Sequence, residues 1–272
     1  MHGTSLASAK TVLAQAEPVL SDAGADAGTI GGQLLDAVSI FDGSGPLRRA
    51  LTDPAREGKD KAALVKQLFA GADKRTVAIL SDLVSQRWSS EEVLADAAEL
   101  IGVEALLIAA ENAEVLPLVA DQLFQVDREI HRDRELRNAL GDHDVKAEQR
   151  RAIVDALFAE RIHPLALQLT QRAVEHPRGR SLTASLVMVG DLAAQRRNRR
   201  VAAITSATPL SQAQEERLGE LLKQIYGFDM QLNITVEPDV VGGLRVQVGD
   251  EVLDATVLTR LSEARRSFAA KN

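Results

Sequence analysis

A chain of 272 residues, 45% hydrophobic but only 3% aromatic, is long enough for two or three compact units and offers little flat surface for stacking bases or sugars. Its net charge of −7 and pI near 5.4 are the wrong balance for a protein built to hold a phosphate backbone. The absence of cysteine excludes disulfide frameworks and thiolate metal sites and favours an intracellular setting, no run approaches the ~18–20 apolar residues of a membrane span, and the opening MHGTSLASAK lacks the apolar centre of a signal peptide.

Leu6–Leu20 places Leu6, Ala9, Val12, Leu13, Ala16 and Leu20 close to helical spacing, which predicts an amphipathic helix ending near Pro18. Ser21–Gly32, SDAGADAGTIGG, reads as a turn-rich connection. Its glycines do not make a phosphate loop, because no apolar strand precedes them and no Gly-Lys-Ser/Thr closes them. Leu34–Phe41 is a short apolar helix stopped by Gly43-Ser44-Gly45-Pro46, and Leu47–Leu51 gives one more helical turn before Asp53-Pro54. Lys59–Ala70 puts Ala63, Leu64, Val65, Leu68 and Phe69 on one wide face, with Gly71 as its stop. Thr76–Gln86 repeats the pattern, and Glu91–Ile108 is a longer helix whose first-turn Glu91 and Glu92 complement the helix dipole.

The next segment retraces this order. Leu136–Ala159, LRNALGDHDVKAEQRRAIVDALFA, copies Leu47–Ala70, LRRALTDPAREGKDKAALVKQLFA, at an ungapped offset of 89 residues, with identities that include Leu51/Leu140, Val65/Val154, Leu68/Leu157 and Phe69/Phe158. Val103–Glu111, Val115–Ile130, Leu136–Leu140, Ala147–Ala159, Leu165–Val174 and Ser181–Arg200 answer the earlier helices in turn, with His163-Pro164 and His176-Pro177 as breaks. The fold class is therefore mainly α: two tandem duplicated bundles of about six short helices each, over 1–103 and 104–200, with Leu68/Leu157 and Phe69/Phe158 expected at equivalent core positions.

After Arg200 the pattern changes. Val201–Ser206 is a β-type run, and Ser211-Gln212-Ala213-Gln214 is a capping box opening a helix that ends at Tyr226-Gly227. Leu232–Val236 and Leu244–Val248 alternate apolar and polar residues, and Gly249-Asp250 is a two-residue hairpin turn into Glu251–Val257, ahead of a last helix over 258–268. Residues 201–272 thus form a small C-terminal α/β domain with a β-hairpin.

No catalytic constellation emerges. His131, His143, His163 and His176 never form the i, i+4 pair of a helical metal site, there is no Gly-x-Ser-x-Gly elbow, and the acidic residues lie scattered on polar faces. Arg196, Arg197, Arg199 and Arg200 crowd the end of the last bundle helix, where they either complement its dipole or dock an acidic segment. A helical-repeat adaptor and, more remotely, a nucleic-acid protein working through these arginines are the readings that composition and pattern leave open.

Val236–Phe268, with Glu237-Pro238, Gly242-Gly243, the Gly249-Asp250 turn, Asp254, Arg260, Leu261 and Arg265, together with VAAITSATPL at 201–210, resembles the C-terminal signature of the delta subunit of F-type ATP synthases, the family of the mitochondrial oligomycin-sensitivity-conferring protein. That resemblance implies a non-catalytic stator subunit without cofactor or metal. Its partners are the N-terminal segments of synthase α subunits and a b-type stalk subunit, with membrane contact only through the complex and a place on the cytoplasmic face of the plasma membrane. The family uses its first and fifth helices to hold the α segment. In the second bundle those positions are Ala105, Leu106 and Ala109 with Leu165, Leu169 and Ala173, six residues that read equally well as core. Gly242, Gly243, Gly249, Asp250, Asp254, Arg260 and Leu261 are the expected stalk-binding motif. A typical member carries one bundle. The duplication resembles actinobacterial, especially mycobacterial, delta, which is joined there to a b-type segment, so this chain is expected to be the delta portion of such a fusion.

Overall fold

The computed structural model of the chain describes residues 3–142, 144–199, 201–226, 230–237, 243–248 and 251–254. Its contacts divide into two compact units, Met1–Ala193 and Ala194–Asn272. The first unit holds α1 (Gly3–Asp22), α2 (Asp26–Gly43), α3 (Gly45–Thr52), α4 (Gly58–Leu68), α5 (Lys74–Ser85), α6 (Glu91–Asn112), α7 (Leu116–Arg132), α8 (Arg134–Gly141), α9 (Ala147–Phe158), α10 (Pro164–Glu175) and most of α11 (Leu182–Arg199). Starts are set locally. Ser44, Asp73, Ser90, Asp133 and His163 each accept a backbone N–H of the turn they open, which satisfies one of the otherwise orphaned donors there.

Two expectations are corrected at the start of the chain. Pro18 lies inside α1 rather than at its end, on the exposed side, where the carbonyl it leaves unpaired on exposed Ala14 meets water. The glycine-rich stretch is a turn only up to Ala25, and Gly28, Gly31 and Gly32 are helical. Tertiary packing outweighs glycine's poor helix propensity there. A Cβ on Gly31 would stand 2.9 Å from Leu106 Cδ2 and 3.1 Å from the Gly102 carbonyl, and one on Gly102 would stand 2.8 Å from Leu35 Cδ2, so the missing side chains let α2 and α6 approach backbone to backbone.

The 89-residue offset carries α1–α5 onto α6–α10 almost residue for residue, and carries α6 onto α11. α6 therefore closes the first bundle and opens the second. Ala98, Ile101, Ala105 and Ile108 belong to a core with α1–α5, whereas Val103, Leu106, Leu107 and Ala110 belong to a core with α7–α11. An α6 apolar on nearly every side is what a helix between two cores requires. The boundary expected at 103/104 falls inside this continuous helix.

Phe69 and Phe158 are buried as expected, but Leu68 and Leu157 are 49% and 38% exposed. The inward stripe of α4 is Lys61, Val65 and Phe69, and that of α9 is Arg150, Val154 and Phe158. Each stripe begins with a buried cation. Arg150 donates from Nε to the Val174 carbonyl at 2.9 Å and from Nη1 to the Asp142 and Val145 carbonyls at 2.9 and 2.7 Å, tying α9 to the end of α10.

In the second unit, β1 (Val201–Ser206), α12 (Gln212–Tyr226), β2 (Gln231–Val236), β3 (Leu244–Val248) and β4 (Glu251–Asp254) follow in chain order, and the sheet order is β2-β1-β3-β4. β1 and β2 are parallel, joined through α12, while β1–β3 and β3–β4 are antiparallel. Ala202, Ile204, Val246 and Val248 pack with Leu222 of α12, so alternate strand positions face the helix. The Gln214 side chain accepts the Ser211 backbone N–H at 2.8 Å, the half of the capping box that closes α12's first turn. The register pairs Val248 with Glu251, which leaves two residues to connect β3 and β4. The expected final helix over 258–268 lies outside the described residues.

Candidate functional site

The densest functional geometry is the junction where α2 lies along the crease between α6 and α10. On the α6 side Gly31 and Leu35 meet Leu106 and Gly102. On the α10 side the Gly28 position lies 3.6 Å from Leu165 Cδ2, and the Gly32 position 2.9 Å from Gln168 Nε2. Further along, Ser39 Oγ accepts from Arg172 Nη1 at 2.9 Å and lies 3.2 Å from His176 Nε2.

The far end is closed by charge. An i to i+3 hydrogen bond from the Arg180 N–H to the Pro177 carbonyl, 2.9 Å long, closes a turn whose central residues, Arg178 and Gly179, have φ of +50° and +74°. Glycine takes such angles freely and arginine does not, so tertiary contacts must hold Arg178 there. They are ionic: Arg178 pairs with Asp42 of α2, with Asp96 of α6 at 2.8 Å and with Glu99 of α6 at 3.5 Å, while Arg180 reaches Glu99 at 2.6 Å. The Arg178 side chain is only 10% exposed and that of Glu99 5%, so the Arg178–Glu99 pair is poorly screened, whereas the Asp42 and Asp96 carboxylates, 33% and 40% exposed, keep contact with water. Beside them, burial and the Arg172 guanidinium hold His176 down to about 4, neutral at physiological pH.

The six expected groove residues converge on this junction, but from inside. Ala105, Leu106, Ala109, Leu169 and Ala173 are buried and Leu165 is half-buried against both cores. What the sequence presents as an open crease between the first and fifth helices of the second bundle is covered by α2 of the first. In the first bundle, the positions equivalent to Gly102 and Leu106 are Leu13 and Glu17 of α1, and both are only half-buried.

Of the C-terminal motif, Gly243 has φ of +87°, the left-handed region that favours glycine, immediately ahead of β3, and Asp254 ends β4 opposite Arg245. Gly242, Gly249, Asp250, Arg260 and Leu261 lie outside the described residues. Arg196 is buried, while Arg197 is exposed. No group of three or more His, Asp or Glu suited to a metal occurs among the described residues, and no described helix is long and apolar enough to cross a membrane. Sequence pattern missed the Arg178 clasp and the Gly31–Gly102 approach. The isolated helical pair Gly31-Gly32 and the Pro177-Arg178-Gly179 turn were the only traces of them.

The two-bundle-plus-sheet order invites comparison with known proteins. The model of the ATP synthase delta (OSCP) subunit family matches residues 103–268, which is the second bundle and the tail. ATP synthase subunit delta of Beutenbergia cavernae is 46% identical over 99% of this chain and 100% of its own length. This chain belongs to the ATP synthase delta subunit family. The Streptomyces avermitilis delta subunit, 38% identical over 99% of both chains, likewise extends the match through the first bundle that the family model leaves out. A chain of the Toxoplasma gondii mitochondrial ATP synthase hexamer, seen by cryo-electron microscopy, is 24% identical and aligns with 61% of this chain and 94% of its own at a TM-score of 0.31, too loose a likeness to place any side chain.

Proposed function

We propose that the chain is the non-catalytic stator subunit of an F-type proton-translocating ATP synthase, which ties the catalytic α/β head to the membrane-anchored b-type stalk on the cytoplasmic face of the plasma membrane and resists rotor torque. Family membership over the whole chain carries the assignment. The junction supports it mechanically. Two bundles that share α6, meet backbone to backbone at Gly31–Gly102 and are pinned by Arg178 have no hinge between them, which suits a part whose task is to transmit load.

Within this reading the N-terminal segment of an α subunit docks on the first bundle, along α1 and α5. α2 already fills the corresponding crease of the second, and the half-buried Leu13 and Glu17 mark where a helix could still lie. The C-terminal unit, through the motif around Gly242-Gly243, Gly249-Asp250, Asp254, Arg260 and Leu261, takes the b-type stalk. Affinity purification of the tagged chain from detergent-solubilised membranes tests the whole: α and b-type subunits should co-purify in fixed proportion, and depletion of the chain should release the head from the membranes. Recovery of the chain free of both would refute it. Titration of an α N-terminal peptide against Leu13→Ala and Leu165→Ala variants, both at half-buried positions, then separates the bundles, since loss of binding in the second variant alone, with its fold intact, would return the dock to the second bundle.

A further inference from the structure

The duplication leaves one covered face with an uncovered twin. On α2, positions 28, 31, 32, 35, 39 and 42 all meet α6, α10 or the turn after α10. The 89-residue offset carries them to Pro117, Ala120, Asp121, Phe124, Arg128 and His131 on α7, which also share one face. There Ala120 is half-buried and the other five are exposed, Phe124 at 61%. The Arg128 guanidinium stands 5.7 Å from the Phe124 ring centroid, so an aromatic anchor and a cation are presented together. An exposed Phe with an Arg over its ring has the composition of a binding hot spot rather than of a solvated helix face.

The chemistry of the missing cover can be read from the internal example. The helix over α2 is α6, which offers Gly102 and Ala109 at the contact and carries Glu91, Glu92, Asp96, Glu99, Glu104 and Glu111 with no basic residue. The end of the α2 stripe is Ser39 and Asp42, facing arginines; on α7 that end is Arg128 and His131, with Arg132 next to them, so the charge is inverted. His131 pairs with Asp127 at 3.6 Å, whereas Arg128 and Arg132 meet no carboxylate among the described residues. We propose that this α7 face binds an acidic amphipathic helix of another polypeptide, one that lays small residues against Ala120 and Phe124 and carboxylates against Arg128 and Arg132, as α6 covers α2. The stator role is not needed for this inference, which rests on the duplication alone.

The test uses the full chain with p-benzoylphenylalanine in place of Phe124, and a synthetic peptide of the α6 sequence, 91–112, as the probe. Irradiation should cross-link the peptide from position 124. Phe124→Ala should weaken peptide binding about tenfold, the loss expected when an aromatic anchor is truncated. Arg128→Glu with Arg132→Glu should abolish binding of the acidic peptide and confer binding on a peptide whose six carboxylates are replaced by Lys. All these side chains are exposed, so unchanged thermal melting confirms that each variant is folded. Unaltered affinity in the folded variants, a cross-link to residues 194–272 of the same chain, or a cross-linked dimer that forms equally without peptide would each overturn the proposal.

Discussion

The sharpest physical test of the junction is a single methyl group placed at two helical glycines. A Cβ on Gly190, inside α11, meets nothing within 4 Å, so Gly190→Ala gains helix propensity and loses nothing, for about 0.5–1 kcal/mol of added stability. At Gly31 the same gain is opposed. The new Cβ would lie 2.9 Å from Leu106 Cδ2, 3.0 Å from its Cγ and 3.1 Å from the Gly102 carbonyl, whereas carbons sit comfortably about 3.5–4.0 Å apart. Leu106 is fully buried and has nowhere to swing, so α2 must lift by roughly half an ångström, and a gap of that size forfeits about a quarter of each dispersion contact along the seam. Overpacking of this kind costs about 1–3 kcal/mol, leaving Gly31→Ala net destabilised by up to about 2 kcal/mol. Gly31→Val, whose branched side chain cannot be turned away, should exceed that. Urea denaturation followed by far-ultraviolet circular dichroism, with the single Trp88 as a second probe, measures all three variants. If Gly31→Ala and Gly190→Ala shift the midpoint in the same direction by the same amount, the backbone-to-backbone contact of α2 and α6 is wrong.

Phe158→Ala should cost about 3–5 kcal/mol, because the ring is 1% exposed, whereas Leu157→Ala, at 38% exposed, should cost under about 1 kcal/mol in the same denaturation assay. Arg178→Ala leaves Asp42, Asp96 and Glu99 short of a cation; the first two are a third or more exposed and can rehydrate, so the expected loss is about 1–3 kcal/mol, visible also as faster amide exchange in α2. Arg178→Gly should recover about 1 kcal/mol of that loss by relieving the +50° φ, and equal losses would show that the turn is not strained. His176, held down to about 4 by burial and Arg172, binds its proton more readily unfolded than folded. Its contribution is therefore complete above about pH 6.5 and is lost as pH falls toward 4, a span worth about 3 kcal/mol in full and about 1–2 kcal/mol once solvent access is allowed for. Asp73, pulled down to about 2 by its hydrogen bonds from Arg75, loses its stabilisation only below about pH 4, so a stability profile between pH 4 and 6.5 that is identical in His176→Asn and the parent chain would refute the buried site.

Local information was enough for much of this molecule. Helical spacing, with caps such as Ser90 and Asp133, sets where helices begin, because a side-chain oxygen reaches only the next turn. Alternation fixes β1 to β3, and a two-residue gap fixes the β3–β4 register, since strand pairing across so short a link has little freedom. The repeat of LRRALTDP in LRNALGDH exposes the duplication, and the motif around Gly242-Gly243 points to the family. What the sequence could not decide depends on residues far apart in the chain. Gly31 looks like a turn until Gly102 faces it; Lys61 and Arg150 look like surface charges until a ring of carbonyls takes up Arg150; Leu68 looks like core until the inward stripe proves to lie one position away. The candidate groove was lost for the same reason. Periodicity shows that α6 and α10 have apolar faces, but only the packed structure shows that α2, which ends at Gly43, far ahead of α6 (Glu91–Asn112) and α10 (Pro164–Glu175) in the chain, has already covered them, and that Arg178 holds it there through carboxylates no local pattern could pair with it.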